Sequence, residues 1–110
     1  MIPEPDRLAI QHVLESGERI TKWTKGGKRR FLDDLMLQRA IEREFEVMGE
    51  AARRVSAATR EAHPQVPWRT LARFRDFLIH AYDSVDPGKV WDAVSVSLKQ
   101  TLPPLRDLVR

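Results

Sequence analysis

The chain contains no cysteine, which removes disulfides, thiolate metal sites and cysteine nucleophiles together. Aromatic residues make up only 7% and include a single tyrosine, Tyr82, so chemistry that needs a phenol has one address. No apolar run approaches the roughly 18 residues needed to span a bilayer, and the opening MIPEPDRLAI lacks the basic and apolar regions of a signal peptide. A cytoplasmic protein with no membrane association is expected. The histidines, His12, His63 and His80, lie far apart, and no pair has the spacing of a zinc-binding helix. Neither a metal nor any other cofactor is expected. Strand signals are missing too: there is no alternating β-branched run and no Asn-Gly or Asp-Gly hairpin dipeptide.

What remains is a helical sequence with enough apolar content for a core. Hydrophobic residues are 42% and charged residues 32% of 110 residues, which suits one folded domain covering residues 1–110. The formal charge of +3 is compatible with a nucleic-acid partner and does not demand one.

A first helix is predicted from Pro5 to about Trp23, carrying Leu8, Ile10, Val13, Leu14 and Ile20, and ending near Gly26 and Gly27. A long second helix is predicted from Arg29 to about Ala57. Its Leu37, Ile41, Phe45, Met48, Ala52 and Val55 recur at steps of three or four and form one stripe. Gly49 interrupts it at a cost of roughly 1 kcal/mol relative to alanine, which a close helix contact beside Ala52 would offset. Pro64 and Pro67 define a loop holding at most a short turn. Pro67 then opens a third helix to about Tyr82, and Asp86-Pro87 caps a fourth, bearing Val90, Trp91, Val94 and Leu98. Pro103-Pro104 should kink it or leave a short terminal helix. The expectation is an all-α, four- to five-helix up-and-down bundle.

The stretch RDFLIHAYDS, residues 75–84, concentrates the chemistry. On a helix, Arg75 aligns with Ile79 and Tyr82, while Asp76 aligns with His80 and Asp83, and Arg73 extends that polar line backwards. Leu71, Phe74, Leu78 and Ala81 form the anchoring stripe. Arg75 and His80, five residues apart, differ by roughly 140° around the axis. They can border one cleft without sharing a face, and a two-fold dimer would bring two copies of each to one groove. Asp76 could accept a hydrogen bond from the imidazole and fix its tautomer. The plain alternative is a helix-terminal histidine facing the dipole beside surface ion pairs.

Arg75, four residues, His80, Ala81 and Tyr82 together resemble the Arg-x-x-x-x-His-x-Tyr signature of HepT-like toxins in the HEPN superfamily. LQRAIEREFEVMGEAARRVS at 37–56 resembles that family's long second helix, HPQVPW at 63–68 its next connection and VDPGKVWDAV at 85–94 its last long helix. The likeness runs over roughly residues 6–109. Asp76 falls where HEPN proteins commonly carry Asn or Asp. The resemblance implies a homodimeric bundle of HEPN type and a metal-independent RNA endonuclease. In it, Arg75 stabilises the phosphate, His80 moves protons and Asp76 supports them. It further implies a partner, an MntA-like nucleotidyltransferase antitoxin, that silences the toxin by attaching AMP to Tyr82. The alternative is a non-catalytic HEPN module that binds nucleotide or RNA, or serves as a helical interaction subunit.

Weaker signals lie elsewhere. Lys28, Arg29 and Arg30 around Trp23 could meet RNA phosphates and stack a base, although a solvated interhelix turn is the favoured reading. Glu42, Glu44, Glu46 and Glu50, interleaved with Arg39, Arg43, Arg53 and Arg54, read as a solvated face rather than a paired-carboxylate site; Glu50, beside Gly49 in the family-like GEAA segment, could be an exception but is assigned no chemical role. His12 and His63 read as structural or solvent-facing.

Overall fold

The computed structural model describes residues 1–81 and 83–110. Among them all regular structure is helical: α1 Glu4–Trp23, α2 Lys28–Leu32, α3 Leu35–Arg54, α4 Ala57–Ala62, α5 Trp68–His80, α6 Pro87–Asp92, a π-helical turn Ala93–Ser97, and α7 Leu98–Leu108. The last three follow one another without a break and form a single rod. Four long helical members with two one-turn helices between them therefore make up the expected all-α bundle. α3 is its centre and packs on α1 and on α5.

The predicted stripe of α3 does form the core face. Ile41, Phe45, Met48, Ala52 and Val55 are buried against Ile10, Val13, Leu71, Leu78, Leu98 and Leu105, with Leu37 partly covered. Leu8, expected on the apolar side of α1, is instead half exposed.

Two boundaries differ from the sequence expectation, each for a local reason, and at Pro103-Pro104 one of the two expected outcomes, a separate terminal helix, is not found. The long second helix is broken near Asp33. Asp34 Oδ1 accepts from the Leu37 amide at 3.0 Å and caps α3, while the buried Gln38 side chain donates to the carbonyls of Phe31 and Leu32 at the end of α2. This turn seats Phe31, fully buried, 5.5 Å from the Trp91 ring. Gly27, at φ 92°, takes the left-handed conformation that lets the chain enter α2.

α3 ends at Arg54 rather than Ala57, because Ser56 starts α4 by accepting the Thr59 amide. Asp6 holds this junction from α1. Only 4% exposed, its carboxylate accepts from the Ser56 amide at 2.9 Å, the Ser56 hydroxyl at 2.6 Å and the Thr59 hydroxyl. These bonds, led by the Ser56 and Thr59 hydroxyls, outweigh burial and hold its pKa below the usual carboxylate value.

Pro103 and Pro104 do not end the last helix; both lie inside α7. The carbonyls their missing N–H groups would leave without a partner belong to Lys99 and Gln100, which face solvent. The opposite side buries Leu98, Thr101, Leu102 and Leu105. Burial of that side outweighs the local preference to stop.

The glutamates of α3 are not a uniformly solvated face. Glu42 is buried beside Arg39, and Glu44 accepts from Arg19 Nε at 2.7 Å, tying α3 to α1. Among the described residues no helix is long and apolar enough to cross a membrane.

Candidate active site on α5

α5 crosses α3 at Gly49. A Cβ built there would lie 2.3 Å from the Arg75 Cβ and 2.8 Å from the Leu71 carbonyl oxygen. The missing side chain thus permits the close approach inferred for this glycine, and the residue it accommodates is Arg75. On the neighbouring turns, Phe74 meets Phe45 edge-on at 5.0 Å and stacks near Phe77 at 5.9 Å. These contacts fix the rotation of α5 about its axis.

That rotation sends Arg75, 24% exposed, toward α3. Its Nε lies 3.2 Å from Glu50 Oε2, and its Nη1 donates to Asp76 Oδ1 at 3.1 Å. The Asp76 carboxylate is also held by Arg53 Nη2, which reaches both oxygens at 3.0 and 2.9 Å. Four alternating charges, Glu50, Arg75, Asp76 and Arg53, therefore link the two helices. Arg75 also lines a groove of about 460 Å³ between α1, α3 and α5, shared with His12, Arg19, Arg43, Arg54 and Ile79.

His80 is the last residue of α5 and is exposed. Its Nδ1 lies 2.8 Å from the main-chain carbonyl oxygen of Asp76. A carbonyl can only accept, so Nδ1 carries the proton and, in the neutral ring, Nε2 keeps a free lone pair. The expected contact between Asp76 and the imidazole is therefore made. Asp76 does orient the imidazole, but through its backbone oxygen, because its carboxylate is engaged by the two arginines.

Within one chain, Arg75 and His80 are not brought together: the groove lined by Arg75 does not include His80. Asp76 touches both, through different atoms. Arg73 is exposed on α5, and Lys28, Arg29 and Arg30 are exposed on α2, away from that groove. Tyr82 lies outside the described residues. The sequence reading marked Glu50 as a possible exception but gave it no role, took Arg53 as part of a solvated face, and set His12 aside. The first two face α5 across the Gly49 contact and the third enters the groove. The adjacent Gly49-Glu50 pair was the available signal. Among the described residues, no group of three or more histidine and carboxylate side chains is placed to hold a metal ion.

Residues 13–110 match the family described as HepT-like, "Ribonuclease HepT-like". The chain belongs to the HepT-like family. It is 41% identical over 98 residues to "Probable ribonuclease HepT" of Thermococcus cleftensis, covering 88% of this chain and 86% of that one. It is 30% identical over 105 residues to a "Putative RNase" of Caldanaerobacter subterraneus subsp. tengcongensis, with 94% of each chain covered. A Methanocaldococcus jannaschii protein named "Gamma-glutamylcyclotransferase and putative RNase" is 34% identical over 102 residues, 92% of this chain. The match spans only 44% of that protein's length. No solved structure is a significant match. Membership of the HepT-like family supports a nuclease role and fixes the all-α bundle as one of HEPN type.

Proposed function

We propose that this HepT-like chain is a metal-independent RNA endonuclease that works as a homodimer, with Arg75 and His80 as its catalytic residues and Asp76 supporting both. The observation that carries the reading is the state of the His80 ring. Its Nδ1 is committed to the Asp76 carbonyl, so Nε2 is oriented outward at an exposed helix end to take or give a proton.

RNA supplies its own nucleophile. The 2′-hydroxyl loses its proton to an imidazole and forms a bond to the adjacent phosphorus. The bond from phosphorus to the 5′-oxygen breaks, and that oxygen takes a proton from an imidazolium. The products end in a 2′,3′-cyclic phosphate and a 5′-hydroxyl. Arg75 offers its remaining guanidinium protons to the phosphate oxygens as negative charge builds on them. Because Arg75 and His80 diverge on one chain, the reading requires a second copy, so that the arginine and imidazole of facing α5 helices meet at one phosphodiester. Ile79, 39% exposed between them, is an apolar contact suited to that face.

The likeness to HepT-like toxins extends the proposal to regulation. An MntA-like nucleotidyltransferase antitoxin transfers AMP to Tyr82, and the added charge and bulk repel substrate phosphates. Lys28, Arg29, Arg30 and Arg73 contribute exposed positive charge for RNA binding.

Purified protein is incubated with RNA in chelator, and product ends are analysed. Cyclic phosphate ends that disappear in a folded, dimeric His80→Ala variant support the reading; 3′-hydroxyl ends, or equal cleavage by the variant, refute it. Incubation with the antitoxin and ATP should add AMP to the peptide containing Tyr82 and release pyrophosphate, and modification elsewhere rejects that assignment.

A further inference from the structure

We infer that Glu50 is a positioning residue for Arg75, holding the guanidinium so that its outer edge faces substrate. The inference rests on the ribonuclease reading but concerns a residue outside the sequence signature.

A guanidinium has five N–H groups in a rigid plane. Glu50 Oε2 sits 3.2 Å from Nε, on the inner edge, while Asp76 Oδ1 takes one proton of Nη1 at 3.1 Å. Two contacts at different nitrogens fix both the position and the tilt of the plane. They leave Nη2 and the second Nη1 proton as a fork for two phosphate oxygens. Asp76 cannot do this alone. It is adjacent in sequence and moves with the same helix, whereas Glu50 belongs to α3 and references the arginine to the centre of the bundle. Arg53 completes the frame by holding both Asp76 oxygens from α3.

The arrangement has an electrostatic cost that separates it from simple attraction of RNA. Glu50 places a negative charge beside a phosphate site, so it weakens ground-state binding. Its compensation must come from orientation, which acts on the chemical step.

The test compares Glu50→Ala and Glu50→Gln with wild type in steady-state RNA cleavage, with circular dichroism and sizing to verify fold and assembly. Glu50→Ala should lower kcat by about 10-fold or more while KM stays level or falls, since misplacement of a catalytic group by about 1 Å can cost on the order of 100-fold. Glu50→Gln keeps an oxygen beside Nε and should recover most of kcat. An unchanged or raised kcat in Glu50→Ala, or a glutamine variant no better than alanine, overturns the proposal. Wild-type cleavage that depends on His80 while Glu50→Ala retains full kcat defeats this inference alone; cleavage indifferent to His80 defeats the ribonuclease reading. Nitrogen-15 NMR of the arginine Nε–H groups gives a readout independent of turnover. The Arg75 signal, assigned by its loss in Arg75→Lys, should broaden and move in Glu50→Ala, and an unchanged signal also overturns the proposal.

Discussion

Replacing Gly49 by alanine tests the central contact of the fold. The new Cβ would lie 2.3 Å from the Arg75 Cβ and 2.8 Å from the Leu71 carbonyl oxygen. Carbon atoms rest about 3.5–4.0 Å apart, so α5 must retreat by roughly 1.2–1.7 Å if α3 stays fixed. Neither neighbour is a flexible side-chain tip that can rotate away. Overpacking of this kind costs about 1–3 kcal/mol, against a gain of roughly 1 kcal/mol from alanine's better helix propensity. The expected net effect is a loss of about 0–2 kcal/mol, measured by urea unfolding of both proteins. Because the displaced segment carries Arg75, kcat for RNA cleavage should fall by roughly 100-fold in protein that remains folded. Gly17→Ala provides the contrast, since its Cβ would meet the end of the Leu102 side chain, which can adopt another rotamer. It should cost less stability than Gly49→Ala. A Gly49→Ala protein as stable as wild type and fully active would show that α5 does not approach α3 as described.

Asp34→Ala removes the side-chain acceptor at the start of α3 and should cost about 1 kcal/mol by denaturant titration, with Asp34→Asn close to wild type. Asp6→Asn should cost about 2 kcal/mol near neutral pH by removing a buried charged acceptor of three bonds. Since folding lowers the Asp6 pKa, its stabilising contribution is fully present above the ordinary carboxylate value near pH 4 and disappears as pH falls through the lower folded value. The wild-type advantage should therefore shrink below about pH 4. A gap between the two proteins that stays constant into strong acid would contradict the assignment.

The parts of the fold written in short-range periodicity were legible before the structure. The stripe from Ile41 to Val55 is apolar at helical spacing, and its burial needs no knowledge of its partners. The same angular rule anticipated that Arg75 and His80 would diverge. The break before α3 was missed because apolar Phe31 and Leu32 seem to continue into Leu35 and Leu37, although Asp34 before an apolar run is a capping signal. At Pro103-Pro104 the local rule was known but tertiary burial prevailed: with Lys99 and Gln100 facing water, the proline pair costs less than losing the core contacts of Leu102 and Leu105. The partners of Glu50 and Arg53 were illegible for another reason. They lie more than 20 positions away, and which α3 residue meets which α5 residue is decided by the crossing point at Gly49.

The crossing also separates the two groups on which the proposed chemistry depends. Arg75 is held by α3 at mid-helix, where Gly49, Glu50 and the Phe45–Phe74 contact set its place. His80 occupies the terminal turn of the same helix and is oriented by a bond from its own helix, to the Asp76 carbonyl. A mid-helix group is positioned by tertiary packing, while a terminal one shares the looseness of helix ends. The arginine is thus preorganised by one chain, whereas the imidazole gains its final position from whatever packs against the end of α5. In the proposed dimer that neighbour is the second copy. Weakening self-association should therefore degrade proton transfer by His80 before it disturbs the guanidinium, so the Arg75 Nε signal should persist under dilution that abolishes cleavage. Loss of both together would place the support of Arg75 in the interface rather than in α3.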